Sequence, residues 1–270
     1  MMMLNIGCGT AVHPDWINLD LRPMLPGVRA FDLRRGLPFP AAGVDVCYSS
    51  HVLEHLTRAE ADRFVAEQRR VLRPGGVIRV VVPDLERIAR SYLQDLDDAV
   101  AGVGGAEDRY AYSMLELLDQ VGRSVSGGEL GAWRARASAD QLALAAARHG
   151  REALPAAEPP LPLLRRHLLP RAWGKARRLA VEAFAGLLLG RFGRTSVREG
   201  FFRNQGEVHR HMYDRHSLAA LLRRHDFEGI RVCGAGESRV PRFAEFGLDE
   251  TGGRVRKPDS LFMEAVRGHG

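Results

Sequence analysis

Short apolar runs alternate with connecting segments along the first third of the chain. Met3–Gly7 is one such run and ends in glycine. Trp16–Asp20 and Val28–Asp32 are two more, each closing on an acid, and Val44–Ser49 is a fourth. Runs of this length bounded by Gly, Pro and Asp read as buried strands. The period changes at Arg58–Leu72, where Ala61, Phe64, Val65, Gln68 and Val71 recur at helical spacing. Pro74-Gly75-Gly76 is a turn that stops this helix. Val77–Val82 is β-branched at every position but Arg79, the pattern of a central parallel strand covered on both faces. Strands alternating with helical connections predict an open α/β sheet.

A helix starts at Leu85–Tyr92, and the strand rhythm then ceases for over a hundred residues. Ala-rich helical stretches are expected around 93–122 and 129–149. Leu154–Pro162 carries prolines at 155, 159, 160 and 162 and reads as a linker. A helix over about Arg171–Leu189 precedes a Gly- and Arg-rich stretch. The α/β rhythm then returns with a helix over Asp214–His225, capped by Asp214, and a strand over Gly229–Cys233. A loop through Ala235–Asp259 leads to a last strand, Ser260–Val266. The chain thus divides into a core, 1–92 and 207–270, and a helical insertion, 93–206.

Composition narrows the class. Hydrophobic residues make up 45% of the 270 positions and charged residues 27%, as in globular proteins. There is neither a transmembrane-length apolar run nor a secretory signal pattern at the start, so a cytoplasmic location is expected. Cys8, Cys47 and Cys233 are far apart and lack metal-ligand spacing, so no metal is expected. The net charge of +6 is local: Arg148–Arg203 holds twelve basic residues against four glutamates. Lysine occurs only at Lys175 and Lys257, and this Arg- and Ala-rich usage points to a GC-rich bacterial genome.

Candidate chemistry gathers at the ends of the first strands. In Leu4-Asn-Ile-Gly7-Cys8-Gly9 the glycines let the backbone approach a nucleotide-like ligand. A dinucleotide fingerprint would need a third small residue opening a helix, whereas Val12 stands there and His13-Pro14 follows. That disfavours a nucleotide-dependent oxidoreductase. Asp20 can accept hydrogen bonds from two ribose hydroxyls, or cap a turn. Asp32 can face an adenine amino group while Leu33 packs on the ring, or serve as a turn acid before Arg34-Arg35. Ligands of open α/β sheets bind at the carboxyl ends of the strands, where these residues fall.

The segments LNIGCG, FDLRRGLPFP, VDVCYSSHVLEHL, RVLRPGGVIRVVVPD and HMYDRHSLAALLRRHDF, in this order and spacing, resemble the type-11-like class I S-adenosylmethionine-dependent methyltransferases. The resemblance covers roughly 3–92 and 207–267. It implies a Rossmann-like, mostly parallel seven-stranded sheet with its last strand antiparallel, and S-adenosyl-L-methionine as cofactor. By position it implies Gly7, Cys8 and Gly9 for the methionine moiety, Asp20 and Leu21 for ribose, and Asp32 with Leu33 for adenine. Ser49, Ser50 and His51 would line the cleft after the fourth strand. The first helix of that fold is reduced here to a loop, Thr10–Trp16.

The insertion leaves from and returns to the strand ends that carry these residues, so it is expected to form a lid or substrate platform. Ser238, Arg239, Phe243 and Phe246, on the loop after the sixth strand, are candidates for substrate contact or for closing the lid's underside. The helix from Trp173 carries apolar residues at Ala176, Ala180, Phe184, Leu187 and Leu188 beside Lys175, Arg177, Arg178 and Arg191. Packing of that face on the protein itself is favoured over a membrane surface, and nucleic acid is disfavoured for want of a binding motif. The expected activity is methyl transfer to a small-molecule or saccharide acceptor, with oxygen as the atom methylated and an anionic group as one feature of the acceptor. A non-catalytic methyltransferase-like binding module is the alternative beside the oxidoreductase. For a base, His51 and His211 are the candidates, with Tyr213 orienting the acceptor; histidine suits that role because its ordinary pKa lies near 6.5.

Overall fold

The structure, a computed structural model, describes residues 1–150 and 168–269. The linker read at 154–162 lies outside the described residues, as do the side chains of Trp173 and Lys175.

Nine strands occur among the described residues. They are β1 Met3–Ile6, β2 Ile17–Asp20, β3 Arg29–Ala30, β4 Val44–Ser50, β5 Leu72–Pro83, β6 Phe227–Cys233, the short pair β7 Glu250–Thr251 and β8 Arg254–Val255, and β9 Ser260–Arg267. Seven of them form one sheet in the order β3-β2-β1-β4-β5-β9-β6. β1 to β5 are mutually parallel, and β9 is antiparallel to both neighbours. The helices are α1 Arg58–Val71, α2 Leu85–Val100, α3 Ala106–Gly122, α4 Gly128–Arg134, α5 Ala139–His149, α6 Leu168–Arg203 and α7 Arg215–Arg224. The predicted sheet, with its antiparallel last strand and helices between the fifth and sixth strands, is present.

The period of two along β5 sorts its side chains. Ile78, Val80 and Val82 enter a core with Phe64 and Val65 of α1 and Leu218, Leu221 and Leu222 of α7. Val77 and Val81 face the opposite way, onto Trp16, Tyr48, Phe243 and Phe262. That second face is covered largely by the loop after β6. Its arginine, Arg79, is fully buried and points into the aromatic layer, with its guanidinium 4.4 Å from the Phe243 ring centroid. Ser238 and Arg239 are likewise used internally: Ser238 Oγ donates to Glu264 and Arg239 Nη2 to Gly229 O. These loop residues hold the sheet's cover in place, which is neither substrate contact nor closure of the lid's underside.

Asp214 caps α7 as predicted, and α1 has a cap of the same kind. Thr57 and Glu60 form a reciprocal capping box at α1, and Asp214 with Ser217 does the same at α7. Three boundaries differ from the sequence reading. β3 shrinks because Asp32 leaves the strand to cap a short 3-10 helix, Leu33–Arg35. Pro74–Gly76 is an irregularity inside β5 and not a separate turn; a side chain at Gly76 would lie 2.8 Å from Arg73 O. The Gly- and Arg-rich stretch after Leu189 is helical, the second arm of α6 beyond a break at Gly190.

The largest departure concerns the apolar residues of α6. Phe184, Leu187, Leu188, Leu189 and Phe192 are exposed, not packed on the protein. The helix folds back on itself with Glu182 buried between its arms, and these apolar residues point out.

A two-chambered cleft at the strand ends

β1, β2 and β4 all end on one edge of the sheet, and two cavities open there. They share Gly7 and His51 as a common wall. The first, about 390 Å³, is lined by Asp20, Leu21, Asp32, Leu33, Val52 and Leu56, and by Arg203–Gly206 and Arg210 on the return from α6. The second, about 270 Å³, is lined by Gly7–Ala11, Ser50, Asp249, Arg256 and Lys257.

Backbone conformation sets this edge. Gly7 has φ +71, and a side chain there would come within 2.3 Å of Val52 Cγ2. Only glycine lets β1 turn beneath Val52. The loop from Thr10 to Trp16 contains no helix, as read from His13-Pro14. Asp20 spans the turn: its carboxylate accepts from Gly9 N at 2.9 Å and from Arg22 N at 2.7 Å. It is therefore a turn acid and a cavity acid at once, with lone pairs remaining for a ligand. Asp32 is similarly engaged, accepting from Arg34 Nε and Nη2, both at 2.8 Å. The Arg34 hydrogen bond holds its carboxyl below the usual range.

His51 ends β4 with φ +54, a conformation a non-glycine residue adopts at some cost. Its backbone N–H donates to Val81 O. The ring is bracketed: Nε2 lies 2.8 Å from Ser260 Oγ, and Nδ1 lies 3.3 Å from Glu54 Oε1. Burial, then the charges of Lys257 and the neighbouring histidines, keep the His51 pKa well below its ordinary value. The imidazole is neutral at neutral pH and able to accept a proton.

Beneath it, Glu54 is fully buried and neither carboxylate oxygen has a hydrogen-bond partner. Burial lifts its pKa to about 8. His55 and His209 meet edge to face at 4.9 Å beside it, and ligand-type atoms of Glu54, His55 and His209 lie within 4.8 Å of one another. Burial, then the His55 charge, drives the His209 pKa down to about 3. This cluster adds no positive charge beneath His51.

The other sequence candidates lie elsewhere. Ser50 lines the smaller cavity, but Ser49 is buried behind it and is not among the residues lining either one. His211 stacks on Tyr213 at 4.7 Å. Tyr213 is buried in the core between Asp84 and α7, and burial lifts its pKa to about 12. Neither is among the cavity-lining residues. The return from α6 presents Arg203–Gly206 and Arg210 to the cleft, and the bridge of Tyr213 to Asp84 turns that side chain inward. The sequence reading overlooked Arg256, Lys257 and Asp249. The one available signal was the rarity of lysine, which places one of only two at this wall.

Residues 22–80 match the family model described as a methyltransferase domain. The chain is 38% identical over 99 residues to a Mycolicibacterium smegmatis protein named as a probable S-adenosylmethionine-dependent methyltransferase, covering 30% of this chain. It spans only 38% of that relative's length. Two solved structures are similar at low identity. One is a Haloferax volcanii methyltransferase in complex with the Trm112 methyltransferase activator, with TM-score 0.41, 11% identity, and coverage of 100% of this chain and 82% of that one. The other is a SAM-dependent methyltransferase from Archaeoglobus fulgidus, with TM-score 0.40, 10% identity, and coverage of 98% and 86%. The strand order and the match over 22–80 are similar to those of class I methyltransferases. The cofactor of that class is S-adenosylmethionine.

The residues present fit that cofactor. Gly7 and Gly9 leave the β1 turn free of side chains, Asp20 offers a carboxylate to the larger cavity, and Leu21, Leu33, Val52 and Leu56 offer it an apolar wall.

Proposed function

We propose that the protein transfers a methyl group from S-adenosylmethionine to a hydroxyl of a small-molecule or saccharide acceptor that carries negative charge. The observation that supports this most is the shared wall: Gly7 and His51 separate an adenosine-sized chamber bearing Asp20 and Asp32 from a smaller one bearing Arg256 and Lys257. When bound, the cofactor supplies an electrophilic methyl group. The chain's own part is alignment and proton removal. Arg256 and Lys257 orient an anionic acceptor. His51 Nε2 accepts the hydroxyl proton, exchanging its contact with Ser260 Oγ for one with the acceptor, with the Glu54 carboxyl 3.3 Å from Nδ1. Residues 93–206 act as the lid and platform over this edge, through the wall formed by Arg203–Gly206.

Calorimetry tests the cofactor first. S-adenosylhomocysteine should bind in the micromolar range or tighter, and NADH should not; binding of NADH alone would overturn the reading. With a panel of acidic and neutral saccharides and labelled cofactor, His51→Gln should cut turnover by roughly 10²–10⁴-fold while leaving S-adenosylhomocysteine affinity near that of the parent. Turnover within a few-fold of the parent would remove His51 as the base.

A further inference from the structure

We infer that α6 is a membrane-docking hairpin whose tip, Phe184–Phe192, enters the interface of an anionic lipid surface.

The helix is two antiparallel arms. Gly190, with φ 61 and ψ −145, breaks it. The arms close tightly because Gly193 has no side chain: one would lie 2.4 Å from Ala185 O. Arg198 Nε reaches Glu182 Oε2 across the gap at 3.5 Å, and the Arg178 guanidinium lies 5.5 Å from the Phe201 ring centroid. Glu182, buried between the arms, is also held by Arg178 at 2.8 Å.

This fold-back leaves the tip bare. Leu187 is 82% exposed and Phe192 75%, with Phe184, Leu188 and Leu189 exposed beside them. Contiguous exposed apolar residues of this size mark a docking surface. Charge complementarity selects the occupant. Residues 168–203 hold eight basic residues against two glutamates, and one of those glutamates is neutralised inside the hairpin. Arg177, Arg191 and Arg194 are exposed around the apolar tip. A second copy would bring the same cationic rim against itself, whereas anionic headgroups would meet it while acyl chains receive the leucines and Phe192. No helix among the described residues is long and apolar enough to span a bilayer, so the tip lies in the interface.

The root of the hairpin is the wall of the cleft. Arg203–Gly206 line the larger cavity, and Arg203 O accepts from Arg210 Nη2 at 2.7 Å. The second arm, Gly190 to Arg203, spans about 20 Å at 1.5 Å per residue. Resting on the methyltransferase reading above, docking would hold the cleft that far above the lipid plane, where the polar head of a lipid-linked saccharide projects.

The test is co-sedimentation of the full chain with phosphatidylcholine vesicles, with and without phosphatidylglycerol. Binding is expected only to the anionic vesicles, and salt should release it. Leu187→Ser/Leu188→Ser/Phe192→Ser should abolish it, and Arg177→Gln/Arg191→Gln should weaken it by about tenfold or more. These residues are exposed, so S-adenosylhomocysteine affinity, measured in parallel, should stay at the parental value. Parental protein that stays in the supernatant with intact cofactor affinity overturns the inference alone. So does triple-variant sedimentation equal to the parent's, or a parental dimer in analytical ultracentrifugation that the triple variant loses without any vesicle binding.

Discussion

Arg79 Nε donates to Asp249 Oδ2 at 2.8 Å, joining the middle of β5 to a loop residue 170 positions later. Both side chains are buried. The remaining guanidinium N–H groups reach Glu264 Oε1 and the carbonyls of Gly234, Ala235 and Glu237. A buried arginine is tolerable only with such full coordination. Its consequence is positional: the loop it clasps carries Arg256 and Lys257 to the cleft.

Arg79→Met should therefore destabilise the fold by about 3–5 kcal/mol, since Asp249 and Glu264 would be left buried without their countercharge. Urea unfolding followed by circular dichroism measures this. A loss under about 1 kcal/mol would show that the two acids find other partners.

Removing the carboxylate in Asp20→Ala should weaken S-adenosylhomocysteine binding by about 1–3 kcal/mol, as the ribose hydroxyls and Gly9 N–H lose their acceptor. Calorimetry with the purified variant gives the value directly. Unchanged affinity would place the ribose elsewhere.

Gly7→Ala combines a strained φ of +71 with a contact to Val52. It should abolish the thermal shift that S-adenosylhomocysteine produces and lower the melting temperature of the free protein. Adding Val52→Ala should relieve only part of the loss, because the backbone penalty remains.

His149 at the end of α5 lies 2.7 Å from Asp259 Oδ2 and 3.0 Å from Glu116 Oε1. Burial alone would lower its pKa, but these two acids outweigh it and lift it to about 9. A group raised in the folded state stabilises fully below its unfolded pKa near 6.5 and loses that contribution as pH climbs through about 9. The melting temperature should fall between pH 6.5 and 9, by an amount corresponding to order 2 kcal/mol. His149→Gln should flatten that slope; a parental profile already flat in this window would argue against the charged pair.

The sheet and its ligand edge were legible because they depend on local signals. β-branched runs, Gly7, and the acids closing β2 and following β3 declare strands and their carboxyl termini one at a time. The cap at Asp214 behaves the same way. What escaped was set by distant partners. Lys257 reaches the cleft only because Arg79 anchors its loop. Tyr213 looked exposed beside two histidines, yet pairing with Asp84 turns it into the core. The apolar residues of α6 carry a period that suits packing, and only the break at Gly190 decides that Glu182 is buried between the arms while Phe184–Phe192 stay bare.

The place of β9 also has a temporal consequence. It lies between β5 and β6, and its first residue, Ser260, bonds His51. During synthesis β5 leaves the ribosome with one edge unpaired and must wait through the whole helical segment for its partner. An exposed, strongly apolar strand edge is a site for wrong pairing between nascent chains. Assembly of the sheet and the setting of His51 are then one late event, so a chain that stops short of β9 yields neither.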